Sequence, residues 1–205
     1  MKNKPWFAVV YMFVVTAFFS SIVIGFAAFT KDRVEANKQI AFERSVLEVF
    51  DLAKGVAAGN IHSVFVEKIK EPDEKSGGAY LYVEDGETKG YAVPISGKGF
   101  WAPIKGIIGV SADKKTVTGI SFYEQNETPG LGAEIEQLDF RSQFEGKLLG
   151  EGDEVFGIVP LGTELADNQV NAISGATQTC TRLELIINEN ISMWRQQIAG
   201  EEVEK

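Results

Sequence analysis

From position 5 to position 30 the chain carries no charged side chain, and Trp6, Phe7, Val9, Tyr11, Phe13, Phe18, Ile22, Ile24 and Phe26 make the run strongly apolar. At about 1.5 Å per residue, a helix over this stretch crosses a hydrocarbon core of about 30 Å. The apolar stretch is longer than the core of a signal peptide, and no A-x-A site precedes Lys31, so it reads as an uncleaved transmembrane anchor. Charge does not orient it. Lys2 and Lys4 on one side face Lys31, Arg33, Lys38 and Arg44 on the other.

The remaining chain is long enough for one water-soluble domain with its own core. The expected division is an anchor over 1–30, a connecting helix over 31–58, a folded domain over 59–199 and an acidic tail over 200–205. Residues 33–54 lack Gly and Pro and meet Gly55, which suits a helix C-cap. Runs rich in β-branched and aromatic residues follow at 61–69, 79–83, 90–95, 104–111, 116–123 and 155–159. His62 falls in the first of these and is given no catalytic role. Turns such as Glu84-Asp85-Gly86 make antiparallel pairing the expectation. Leu183, Ile186, Ile187, Ile191, Trp194 and Ile198 recur at helical spacing, so 182–198 reads as an amphipathic helix. The fold class is α+β: one N-terminal transmembrane helix, then a soluble domain with a mainly antiparallel sheet and flanking helices.

Composition narrows the chemistry. With 29 acidic against 20 basic residues the net charge is −9, so binding to a nucleic-acid backbone would oppose the field of the protein. One cysteine, Cys180, and one histidine, His62, fall short of a zinc or iron-sulfur ligand set, and no metal site is expected. No G-x-x-x-x-G-K-[ST] or G-x-G-x-x-G element is present. Redox chemistry in such a chain needs a bound organic cofactor.

Two segments carry chemical information. In Ser174-Gly175-Ala176-Thr177-Gln178-Thr179, small and hydroxyl-bearing residues precede the C-terminal helix, and Thr181 with Glu184 reads as the capping box that starts it. A helix start offers free N–H groups and the positive end of the macrodipole, so Thr177 and Thr179 stand where a phosphate is favoured. Gly175 and Ala176 would let the backbone approach a ligand. Composition alone favours a well-capped helix after a polar turn. The second segment, Glu127-Thr128-Pro129-Gly130-Leu131-Gly132, follows a strand and on its own reads as a Pro-Gly turn.

Together the two segments resemble, in the same chain order, the E-T-P-G-L-G and S-G-A-T-x-T signatures of the covalent-FMN subunits of the Rnf electron-transport complex and of the sodium-translocating NADH:quinone oxidoreductase. The resemblance extends to the segment Gly97-Lys98-Gly99-Phe100-Trp101. It implies FMN esterified through its phosphate to Thr179 by a flavin transferase that uses FAD, which would make activation of the hydroxyl the transferase's task. Ser174, Gly175, Ala176 and Thr177 would hold the phosphate and ribityl chain. Thr128, Leu131 and Gly132 would line the ring, with Glu127 setting loop geometry or polarity. Trp101 is either a stacking partner or a core aromatic. Asn171, Gln125 and Cys180 stand where Asp, His and Ser are frequent in that family.

The resemblance also implies an electron-transfer subunit rather than a stand-alone enzyme, with no catalytic residues of its own. Its partners would be other subunits of a membrane redox complex. It would sit in the cytoplasmic (inner) membrane of a bacterium or archaeon, with the domain on the extracytoplasmic side. Two further readings are a membrane-tethered binding or scaffold module without covalent flavin, and a hydrolase using Ser174. The second lacks a G-x-S-x-G elbow.

Overall fold

The computed structural model describes residues 5–152 and 154–203. The uncharged run lies within one helix, α1 (Pro5–Glu48). The chain divides into two compact units, Met1–Gln39 and Ile40–Lys205. In the first, the apolar side chains of Phe13, Val23, Ile24 and Phe26 are exposed along a helix long and apolar enough to cross a membrane. Lys31 and Glu35 pair one turn apart on it at 3.8 Å. Lys2 and Lys4, whose charges entered the orientation count, lie outside the described residues, as do Glu204 and Lys205 of the acidic tail.

In the second unit α1 ends at Glu48, earlier than the Gly/Pro-free run suggests, and Gly55 closes a series of turns instead of capping the helix. Val46, Leu47, Val49 and Ala53 are buried together around this bend. Residues 61–69 correct a second expectation. They form a helix, α2 (Ile61–Lys68), and only the last joins a strand. Ile61, Phe65 and Ile69 are the buried positions, spaced by four as on a helix face. The β-branched residues that suggested a strand are outweighed by that spacing. His62 therefore sits on a helix, where its Nδ1 lies 2.8 Å from Oε1 of Glu43.

Five strands, β1 (Ile69–Lys70), β2 (Tyr80–Glu84), β3 (Glu87–Lys98), β4 (Pro103–Ser111) and β5 (Val117–Glu124), pair antiparallel in chain order. Side-chain alternation sends the two faces of this meander to different cores. Val93, Ile95, Ile104, Ile108 and Val110 join one cluster with the C-terminal helix, whereas Ala92 and Ile107 join the end of α1 and α2. After the short helix α3 (Leu138–Arg141), β6 (Gly157–Val159) and β7 (Gln169–Asn171) form a separate parallel pair. β7 has no strand signal, because only Val170 of its three residues is apolar.

The last helix, α4 (Thr177–Val203), buries Leu183, Ile186, Ile187, Ile191, Trp194 and Ile198 against the sheet, as their spacing implies. Each such side chain contributes about 1.5–3 kcal/mol on full burial. The helix starts four residues before the Thr181/Glu184 box, which is therefore not its cap. Glu184 instead accepts the main-chain N–H of Ile158 at 2.6 Å, and Asn188 brackets Phe156 by accepting its N–H and donating to its carbonyl. Polar side chains of α4 thus complete the hydrogen bonding of the segment leading into β6, whose own strand pairing is short.

Candidate functional site

Starting α4 at Thr177 places Thr179 in its first turn. A main-chain bond from Cys180 N to Ala176 O at 3.0 Å closes that turn. The N–H groups of Thr177, Gln178 and Thr179 lie ahead of it, where helix geometry leaves them without intrahelical acceptors. Gly175 precedes them at φ +78°, in the left-handed region, and so turns the chain into the helix without strain. Cys180, the next residue after Thr179, points away into the core. Its sulfur accepts the Ile173 N–H at 3.3 Å, and burial pushes the thiol above its usual range against that bond.

Opposite this helix start lies the loop that follows β5. Leu131 N and Ala133 N both donate to Thr128 O at 3.1 Å, which folds residues 128–133 into a tight turn. Glu127, at the root of the turn, is only 4% exposed. Its Oε2 accepts the hydroxyl of Thr179 at 2.8 Å. Its Oε1 accepts the main-chain N–H of Trp101 at 2.9 Å and that of Ala102 at 3.4 Å, at the tip of the β3–β4 hairpin. One carboxyl group therefore joins three segments that are remote in sequence. A carboxyl group thus stands beside the Thr179 hydroxyl, a contact that sequence spacing could not reveal.

Two glycines make room for it. A methyl group at position 132 would overlap the Thr179 hydroxyl and stand 2.9 Å from Cβ of Glu127, and one at position 99 would stand 2.6 Å from Oε1. Neither distance is tolerable for a Cβ, so Gly is required for the packing at both.

Around this centre is an open cleft of about 170 Å³. Trp101, Glu127, Thr128, Leu131 and Gly132 line one side, and Gly175, Ala176, Thr177 and Thr179 line the other. Phe100 and Gln178, which the sequence pattern does not single out, complete it, whereas Ser174 is exposed just ahead and is not part of the wall. Trp101 is 69% exposed and stacks edge-on with Phe100, with ring centroids 5.0 Å apart, so it is not a core aromatic. Ala176, at 5% exposed, belongs to the core as well as to the cleft wall. Gln125 accepts the Glu127 N–H at 2.6 Å and Gln143 accepts that of Asn171 at 2.9 Å, so Gln125 and Asn171 take part in loop structure.

A larger cleft of about 240 Å³ lies elsewhere, beside Glu48, Thr118 and Arg141. Its charged groups are mutually satisfied. Arg141 pairs with Glu48 at 2.7 Å and donates to Ile120 O at 2.8 Å, while the buried Thr118 hydroxyl in its wall has no hydrogen-bond partner among the described residues.

Chemically, the smaller cleft combines helix N–H donors suited to a phosphate, a hydroxyl in contact with a carboxylate, and an exposed apolar rim of Phe100, Trp101 and Leu131. At about 170 Å³ it is below the roughly 300 Å³ of pockets that enclose a ligand, so it suits one end of a larger molecule.

A family model described as an FMN-binding domain matches residues 99–192. Among curated relatives, a subunit of the Na(+)-translocating NADH-quinone reductase of Pasteurella multocida is 38% identical over 118 residues, covering 56% of this chain and 44% of that protein. The subunit of the same name from Vibrio alginolyticus is 40% identical over 106 residues, covering 49% of this chain and 40% of the relative. The chain thus spans less than half the length of these curated relatives. The crystal structure of the Parabacteroides distasonis subunit superposes with a TM-score of 0.69 at 25% identity, covering 80% of this chain and 95% of that one. Shewanella oneidensis NqrC superposes with a TM-score of 0.66 at 21% identity, covering 80% and 99%, and shares the fold. Residues 99–192, which hold the hairpin tip, the Glu127 loop and the start of α4, are thus the part of the chain that matches the FMN-binding domain family model.

Proposed function

We propose that this chain is a membrane-anchored electron-carrier subunit bearing FMN esterified through its phosphate to Thr179. The observation that carries the reading is the position of the Thr179 hydroxyl: it lines an open cleft in the first turn of α4, beside N–H groups that favour a phosphate. The N–H groups of Thr177, Gln178 and Thr179 hold the phosphate, and Gly175 and Ser174 shape the approach. Trp101, Phe100 and Leu131 supply apolar surface for the ring, with Thr128 and Gly132 beneath it. Bound FMN supplies one- and two-electron transfer, while the protein orients it and leaves a ring edge open to a partner.

In this reading residues 1–30 anchor the protein, 31–58 connect and 59–199 bind the flavin. The names of the relatives point to a complex of the Na(+)-translocating NADH-quinone reductase type, whose other subunits would be the electron donor and acceptor. A flavin transferase acts during maturation. The uncharged run supports membrane anchoring, and the family resemblance supports a domain on the extracytoplasmic face.

The test is intact mass with in-gel flavin fluorescence, on full chain co-expressed with a flavin transferase, comparing wild type with Thr179→Ala. The expected result is added mass of one FMN less water, fluorescence that survives denaturation, and loss of both in the variant. Wild type without added mass, when the transferase modifies a control, would leave a membrane-tethered binding module as the better reading.

A further inference from the structure

The contact between Glu127 and Thr179 carries more than loop geometry. Thr179 is 3% exposed, so bulk water does not surround its hydroxyl. Glu127 Oε2 is the hydrogen-bond acceptor at 2.8 Å, inside the range for direct proton transfer. Glu127 is also the only ionisable side chain lining the cleft among the described residues. Its other oxygen is fixed by the N–H groups of Trp101 and Ala102, so the carboxyl group is held in place on one side while it faces the hydroxyl on the other.

We infer that Glu127 is a catalytic residue of the flavin attachment itself, a general base supplied by the acceptor protein. The inference rests on the reading of Thr179 as the attachment site. An unactivated threonine hydroxyl is a weak nucleophile, and phosphoryl transfer to it requires an aligned oxygen and a destination for its proton. In the step, Thr179 Oγ1 attacks the flavin-side phosphorus of the pyrophosphate of FAD, which the transferase presents through the open side of the cleft. The Oγ1–P bond forms, the P–O bond to the bridging oxygen breaks and AMP departs with that oxygen. The Thr179 proton passes to Glu127 Oε2. No electrons are transferred. The proton is also well placed afterwards, since a carboxylate left beside the new phosphodiester would meet a like charge at close range.

Gly132 fits the same arrangement. Anything larger would press on Thr179 Oγ1 and on Glu127 Oε2 and disturb the contact between them. The sequence around Glu127 therefore serves the modification reaction as well as the finished site.

The experiment measures the initial rate of covalent flavin incorporation into purified, detergent-solubilised full chain, with flavin transferase, FAD and divalent metal, for wild type and Glu127→Gln. Glutamine keeps the shape, and its oxygen can still accept the Trp101 and Ala102 N–H groups, but its NH2 then donates to Thr179 Oγ1 and cannot take the proton. With melting temperature unchanged within a few degrees, incorporation should slow by about 100-fold, at the low end of what general base catalysis contributes. A variant that is modified within threefold of the wild-type rate overturns the inference and leaves the attachment reading standing. If wild type itself gains no flavin, both fall. Should Glu127→Gln fail to fold, Glu127→Ala with added formate decides: a rate restored in proportion to formate supports the base role, and a rate that formate does not raise refutes it.

Discussion

The main-chain N–H of Trp101 donates to Oε1 of Glu127 at 2.9 Å, and through this bond the tip of the β3–β4 hairpin is tied to the group that meets Thr179. The indole itself projects outward, 69% exposed, at the mouth of the cleft. Backbone and side chain of one residue thus serve different ends, one holding the site together and the other forming its rim.

That division predicts the behaviour of Trp101→Ala. Because the indole buries little surface and the main-chain bond is kept, stability should change by no more than about 0.5 kcal/mol. Flavin fluorescence and reduction potential of the loaded protein should shift, since an aromatic neighbour is lost from the rim. Urea melts and a spectroelectrochemical titration check both. A large loss of stability with an unchanged flavin would assign Trp101 to the core instead.

Gly132→Ala should act in the opposite way. The added methyl overlaps Thr179 Oγ1 and presses on Glu127, with backbone on either side fixed by the 128–133 turn. Overpacking of this kind costs about 1–3 kcal/mol. Covalent flavin loading should fall with it, measured as the fraction of modified protein by intact mass. Full loading and an unshifted melting curve would show that the turn relaxes freely.

Asn188→Ala removes two bonds to the main chain of Phe156, at 2.7 and 2.9 Å, and leaves that N–H and carbonyl without their partners in a buried segment. A loss of about 2 kcal/mol is expected. Hydrogen exchange at Phe156 should accelerate more than at residues of β3 and β4, which keep their ladders.

Asp113 predicts a dependence on pH. Burial disfavours its charge, but the hydroxyls of Ser111 and Thr116 and the N–H groups of Thr116 and Lys115 all donate to it and prevail, so its carboxyl titrates well below the usual range. A depressed folded-state value means that the stabilisation is fully present above the unfolded value of about 3.9 and is lost as pH falls through the folded value. Solvent screens this exposed turn, so Asp113→Asn should lower stability by only about 1 kcal/mol at pH 7. The gap from wild type should narrow below about pH 3.5. Paired urea titrations at pH 7 and pH 3 measure it, and a gap that widens in acid would reverse the sign of the argument.

Residue pattern alone determined a good deal. The uncharged run at 5–30 demands a helix that water does not favour, the β-branched runs between 79 and 123 with their intervening turns demand an antiparallel meander, and the spacing from Leu183 to Ile198 demands a helix buried on one face. These follow from local periodicity and turn chemistry, which are written into neighbouring residues. The two site segments were also legible, and the structure brings both to one cleft. Tertiary structure decided the rest. In 61–69 β-branched composition competes with a four-residue spacing, and only the core that accepts Ile61, Phe65 and Ile69 settles the choice for helix. The Thr181/Glu184 box lost to an earlier helix start because Glu184 is taken by Ile158 N, a partner remote in sequence. The approach of Glu127 to Thr179 across 52 positions was out of reach for the same reason. A hydrogen bond of that kind depends on how β5 and α4 are packed, and on glycines at 99 and 132 that allow the carboxyl group in, and no local pattern encodes where two such segments meet.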